Sequence, residues 1–164
     1  MVPLFFGLLA HGLCIRFRAL RAFTVPIAPG ALGANKTWRG IVCVAAGTAL
    51  GFAIVRPGVV GLGTATGLAL LGFAVGACAM AAELPNSLLK RRLGIAPGTQ
   101  AAGLRGAAFH LLDQVDLVVG AWVILAFRVA PTPARIAGSL ALAYVGHQLV
   151  SAAGYWLGMR TSAR

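Results

Sequence analysis

Acidic residues are what this sequence has least of. Three carboxylates, Glu83, Asp113 and Asp116, stand against fourteen Lys and Arg in 164 residues. Charged residues of both signs make up only 10% of the chain, where a water-soluble domain carries about 25%. So few charges cannot clothe a domain in a polar surface, which excludes an ordinary soluble fold. Cysteine is scarce as well. Cys14, Cys43 and Cys78 are odd in number and form no CxxC pair, which argues against a disulfide framework or a cysteine-based metal site. In apolar runs a thiol behaves as a small hydrophobe. No basic stripe interleaved with aromatics and no zinc-finger spacing occurs, so the net charge of +11 does not point to nucleic acid. Anionic lipid headgroups or phosphorylated substrates fit that charge better. Repeats, linkers and low-complexity tracts are missing too, and residues 1–164 read as a single domain.

What is abundant is apolar. Hydrophobic residues make up 59% of the chain and the mean hydropathy is +0.88. A membrane-crossing helix needs about 20 mostly apolar residues. Val59 to Ala82 and Ile136 to Leu157 meet that length, Ile41 to Val55 meets it if its flanking arginines snorkel, and Val115 to Val129 meets it if the helix starts near Ala107. Val2 to Ile15 is shorter; it has no basic leader and no A-x-A site, so it reads as a short first helix rather than a secretory signal. The expected fold is all-α, a polytopic integral membrane protein of about five transmembrane helices with cytoplasmic active-site loops. Residues 16–40, 83–114 and the tail carry eleven of the fourteen basic residues, and the opposite side carries Arg56, Arg128 and Arg135. The positive-inside rule then places the N-terminus outside and the basic segments in the cytoplasm. The runs GTALG, GFAVG and GYWLG match GxxxG, which serves close helix packing within the chain or a homodimer.

All three carboxylates lie beside the basic segments. Asp113 and Asp116 are spaced i, i+3 and share a helix face. A carboxylate costs about 2.5–3.5 kcal/mol at mid-bilayer on insertion scales, less near the interface, and two things can offset it. One is a cluster of ion pairs, such as Asp116 with Arg105 or Glu83 with Lys90. The other is a divalent cation: hard oxygens at this spacing suit Mg²⁺, which completes its shell with substrate phosphates. Glu83, Ser87 and Lys90 or Arg91 follow helical spacing, so one face presents carboxylate, hydroxyl and cation in turn. The segment GANKTWRG adds Asn35, Lys36, Thr37 and Arg39 between two glycines. Lys and Arg there can clamp a triphosphate.

Taken in order, GANKTWRG, ELPNSLLKRRLGIAPG and LLDQVDLVVGA resemble the CDP-archaeol synthase family, relatives of phosphatidate cytidylyltransferase. The S-x-x-K-R then D-x-x-D signature of the broader family falls on Ser87, Lys90, Arg91, Asp113 and Asp116. The resemblance implies CTP-dependent transfer of a cytidylyl group to a lipid phosphate in the inner leaflet, either phosphatidic acid or an ether-lipid phosphate, with release of pyrophosphate. It also implies Mg²⁺ held by Asp113 and Asp116 with Glu83 as a third ligand, in a two-metal displacement. Lys90 and Arg91 are expected to neutralise the triphosphate, and Lys36 and Arg39 to engage nucleotide or lipid phosphate. Asn35 and Thr37 are candidates for reading the base, and Trp38 for stacking on it. One departure stands out: Glu83 occupies a position that is Asp in the family pattern, so its arm is longer by one methylene. Two other classes account for parts of the sequence. A non-catalytic membrane module binding lipid or an assembly partner needs only the glycine-rich helices and basic loops. A transporter or channel would need acids at mid-membrane, which the expected spans lack.

Overall fold

The computed structural model describes residues 1–55, 63–99 and 101–156, without the side chains at 151 and 153–155. The described chain is helical. Helix α1 spans Val2–Arg16, and a single 3₁₀ turn follows at Arg21–Phe23. The short α2 covers Pro29–Leu32 and α3 covers Trp38–Val55. The long α4 runs from Ala65 to Arg92, α5 from Gly103 to Leu125 and α6 from Pro133 to Trp156. The sole strand-like feature among the described residues is one antiparallel bridge between Pro26 and Thr37.

Among the described residues three helices, α3, α4 and α5, are long and apolar enough to cross a membrane. Helix α1, at 15 residues, reaches about 22 Å at ~1.5 Å per residue, short of a hydrocarbon core of about 30 Å. The first residues of the expected Val59–Ala82 span, and Leu157 of the last one, lie outside the described residues. The outer faces are apolar: Leu9 and Leu13 on α1, Leu50 and Ile54 on α3, Leu70 and Phe73 on α4, and Val119 and Val123 on α5 are all exposed. Water would penalise that surface, whereas a bilayer solvates it, so the bundle is built for lipid.

Small residues decide how the helices meet. A Cβ on Gly47 would stand 2.7 Å from the Gly7 backbone, and one on Gly51 would stand 2.7 Å from the Pro3 carbonyl. These two glycines of GTALG therefore let α1 and α3 touch backbone to backbone. On the other side of α3, Gly72 and Gly76 of GFAVG lie against Thr48, Ala49 and Ala45. Gly120 does the same for α5 against Cys78 and Ala79 of α4. Both glycine pairs are thus spent on contacts within the chain; GYWLG falls largely outside the described residues. Gly47 meets Gly7 while Gly51 meets Pro3, and Gly72 meets Thr48 while Gly76 meets Ala45. Residue numbers rise on one helix as they fall on the other, so α1, α3 and α4 run antiparallel in turn. Around these contacts Leu4, Val44, Phe52, Leu68, Val75, Ala79, Leu117 and Ala121 form the buried core. Helix α6 joins through polar contacts, with Trp122 Nε1 donating to Ser139 Oγ at 3.1 Å and His147 meeting His110 edge to face. All three cysteines are free thiols.

The length of α4 carries the polar residues clear of the apolar core. Its 28 residues extend about 42 Å at ~1.5 Å per residue, more than a hydrocarbon core needs. Glu83 to Arg92 continue the helix through Pro85, as the helical spacing of Glu83, Ser87 and Lys90 requires, and Asp113 and Asp116 lie well inside α5. Candidate residues are therefore carried on rigid helices, with only the 33–37 segment on a loop.

Because Gly76 sits against Val44 and Ala45 backbone, overpacking there is costly. Gly76→Leu is expected to destabilise the protein by about 1–3 kcal/mol, read as a lower thermal midpoint in detergent. Gly12→Leu, where nothing lies within 4 Å, should leave that midpoint in place.

Candidate active site where the loop meets α4 and α5

The segment between α1 and α3 is folded back on itself. Ile27 N–H donates to the Lys36 carbonyl at 2.9 Å and Trp38 N–H to the Val25 carbonyl at 3.2 Å, so the turn around α2 is pinned at its neck. Gly33, at φ +92°, sits where a Cβ would meet Pro97 at 2.9 Å and Asn35 Oδ1 at 3.0 Å. A side chain there would be strained and would push the turn off the loop after α4. This closure aims Lys36 at α4, where its Nζ meets Glu83 Oε2 at 2.5 Å. A cavity of about 150 Å³ opens beside the pair, lined by His11, Asn35, Lys36, Thr37 and Glu83 on its polar side and by apolar residues such as Ile27 and Met80.

Further along α4, a second group forms. Lys90 Nζ donates to both oxygens of Asp113, at 2.6 and 2.8 Å, and lies 5.5 Å from the centre of the Phe109 ring. Asn86 Nδ2 donates to Asp113 Oδ1 at 2.7 Å and to Asp116 Oδ2 at 3.1 Å. Ser87 Oγ donates to the Glu83 carbonyl at 3.0 Å. The ion pairs are therefore Glu83 with Lys36 and Asp113 with Lys90, rather than Glu83 with Lys90 and Asp116 with Arg105. In each case the partner comes from a different element, which ties loop to α4 and α4 to α5.

Several buried polar atoms on these same segments have no hydrogen-bond partner. They include Arg39 Nε, Arg91 Nε and Nη1, Asn86 Oδ1 and Asp116 Oδ1. Buried polar groups are nearly always satisfied in native proteins. Guanidinium nitrogens without an acceptor call for an anion, and a carboxylate oxygen without a donor calls for a cation. A donor set of carboxylate and amide oxygens fits Mg²⁺. Among the described residues, no three His, Cys, Asp or Glu side chains group closely enough to hold one metal ion, and Glu83, expected as a third ligand, is turned to Lys36.

Of the residues singled out from sequence, Lys36 and Glu83 are joined directly, with Asn35 and Thr37 lining the same cavity. Lys90 and Asp113 form the second pair. Asp116 reaches it through Asn86. Ser87 is buried on α4 with its hydroxyl on the backbone. Trp38 is half exposed. Sequence reasoning passed over Asn86. Asn86 carried a signal: it stands i, i+3 from Glu83 and i, i+4 from Lys90, hence on the same helical face.

The fold and this site define a helical membrane protein whose basic loop and two long helices bring opposite charges together. The family model CarS-like, described as CDP-archaeol synthase, matches residues 28–163. The chain is 35% identical over 139 residues to the CDP-archaeol synthase of Methanoregula boonei, covering 77% of this chain and 76% of that protein. With the CDP-archaeol synthase of Methanosphaerula palustris it shares 35% over 142 residues, covering 79% and 78%. That of Halobacterium salinarum shares 38% over 120 residues, covering 68% and 59%. No solved structure matches. The chain belongs to the CDP-archaeol synthase family.

The Lys36–Glu83 pair spans 47 positions of sequence and is only about 20% exposed on either side, so each residue is expected to depend on the other. Lys36→Met and Glu83→Gln should each destabilise the protein, and the double variant should cost less than their sum by about 1–2 kcal/mol. Thermal unfolding of the four proteins in detergent measures this, and additivity would deny the pair.

Proposed function

We propose that the chain makes CDP-activated lipid, using CTP and a lipid phosphate of the archaeol type at the cytoplasmic face of the membrane. As a member of its family the chain is a CTP-dependent cytidylyltransferase. The observation that carries the site assignment is the set of buried, unpartnered guanidinium nitrogens of Arg39 and Arg91 together with the unpartnered oxygen of Asp116. Donors and acceptors left open on the same segments match a metal-bound triphosphate better than they match a closed structural ion-pair cluster, which would have consumed them.

In this reading the loop and helix ends divide the substrate between them. Arg39 and Arg91 grip phosphate oxygens with the planar fork that guanidinium provides. Lys36, held by Glu83, adds a point charge at the cavity. The first turn of α3 starts at Trp38, so the positive end of its helix dipole favours an anion over the 35–37 segment. Asn35 and Thr37 supply hydrogen-bonding groups at the wall of the cavity, where a pyrimidine base can lie against Ile27. Asp113 and Asp116 hold the cation, with Lys90 limiting the charge of Asp113. Mg²⁺, when bound, supplies charge neutralisation for the in-line displacement.

The reaction needs no strong base. A phosphomonoester has a second pKa of about 6, so the lipid phosphate arrives ionised. One of its oxygens forms a bond to the α-phosphorus of CTP, the bond from that phosphorus to the β-phosphate oxygen breaks, and pyrophosphate leaves. The acceptor approaches from the bilayer along the apolar faces of the helices, its phosphate at the level of the basic ends. We also place the N-terminus outside and read α1 and α6 as completing five membrane segments.

The direct test supplies labelled CTP, Mg²⁺ and either an archaeol-type ether-lipid phosphate or phosphatidic acid to the purified protein. CDP-lipid and pyrophosphate should appear in equal amounts with the ether lipid. EDTA should stop the reaction and added Mg²⁺ restore it. Asp116→Asn should lower the rate more than the 10–100-fold typical of losing a partner behind the metal. Absence of CDP-lipid with every acceptor would overturn the assignment, and activity untouched by EDTA would remove the cation from it.

A further inference from the structure

Asp113 and Asp116 place two like charges on one face of α5, and Lys90 answers only the first of them. It engages both oxygens of Asp113. What joins the two carboxylates is Asn86, whose Nδ2 donates to one oxygen of each, at 2.7 and 3.1 Å. The orientation of that amide follows from chemistry: only the NH₂ end can sit between two acceptors. Asn86 is 8% exposed, and its own Oδ1 is buried without a partner, as is Asp116 Oδ1. The side chain thus spends both N–H groups on the acids and leaves two oxygens open, one its own and one of Asp116.

A neutral amide suits this task where a cation would not. Lys or Arg at position 86 would tie the acids together but cancel the charge that a divalent ion needs. Leu would keep the charge and let the acids separate. Asn links them and leaves the negative charge of Asp116 in place. We propose that Asn86 is a positioning residue that holds Asp113 and Asp116 as a pair and fixes which Asp116 oxygen stays open to a divalent cation. The inference rests on the metal-assisted cytidylyl transfer proposed above and adds to it a residue that touches neither nucleotide nor lipid in that scheme.

The experiment uses the full chain in detergent with Mn²⁺ alone as the probe, free Mn²⁺ being read by electron paramagnetic resonance. Asn86→Leu keeps the shape of the side chain and removes its donors; Asn86→Gln keeps the donors on a longer arm. Wild type should bind Mn²⁺, Asn86→Leu should bind it about 10–100-fold more weakly, and Asn86→Gln should recover part of the loss. In turnover, Asn86→Leu should need correspondingly more Mg²⁺ for half its maximal rate, with the KM for CTP little changed at saturating Mg²⁺. Equal Mn²⁺ affinity in wild type and Asn86→Leu, or no Mn²⁺ binding by wild type, would overturn the inference even if CDP-lipid is formed. A lowered melting temperature with unchanged Mn²⁺ affinity would mark Asn86 as structural only and overturn it too. Should Asn86→Leu lose its unfolding transition, Asn86→Ser, too short to reach both acids, takes its place with the same expected loss. Failure of wild type to form CDP-lipid while these Mn²⁺ differences hold would count against the transferase assignment and leave the role of Asn86 standing.

Discussion

A carboxylate set among apolar helices must have its charge answered, and one end of this protein is organised by that requirement. Moving charge out of water costs several kcal/mol per ion after relaxation, so each acid needs donors or cations within reach. Glu83 is answered by Lys36, Asp113 by Lys90 and Asn86, and Asp116 by Asn86 at one oxygen only. None of these partners is a sequence neighbour on the same turn. The requirement is therefore met only when the loop, α4 and α5 are all in place, which makes the site a product of the complete fold.

What brings those elements into range is the absence of side chains elsewhere. Lipid tails offer no hydrophobic drive for helices to associate, so close backbone packing must supply it. Gly47 and Gly51 seat α1 on α3, Gly72 and Gly76 seat α3 on α4, and Gly120 seats α5 on α4. Gly120 lies four residues beyond Asp116, or about one helical turn. Bulk at that position would lift α5 from α4 and lengthen the Asn86 contacts. The glycine stripes and the polar cluster are thus two ends of one mechanical arrangement.

Much of this was legible in the sequence because it rested on local spacing. The i, i+3 placement of Asp113 and Asp116, the helical run from Glu83 through Ser87 to Lys90, and the apolar stretches of α3, α4 and α5 follow from periodicity. The motif order also pointed to the family. What stayed hidden was pairing across the fold. Nothing local says that Lys36 reaches Glu83 rather than a phosphate, or that Gly33 must admit Pro97. Pro85 sits inside the helical run from Glu83 to Lys90. Proline removes one backbone hydrogen bond, yet the helix continues, with Asn86 and Lys90 bonded across to α5. Asn86 went unnoticed since a lone asparagine in an apolar helix has no charge to advertise it.

The longer arm of Glu83 has a structural consequence. A carboxylate one methylene shorter at this position would stay close to its own helix. Glu83 instead extends to Lys36 on the loop, and Lys36 is fixed in turn by the backbone pairing of its carbonyl with Ile27. The acid closest to the loop is thereby turned into a tether. The result separates two tasks that three carboxylates could otherwise have shared: one holds the loop against α4, and two remain with Asn86 at α5. Neutralising Glu83 in this way also lowers the negative charge on the α4 face, which in the proposed scheme eases the approach of a triphosphate to the cation held at α5.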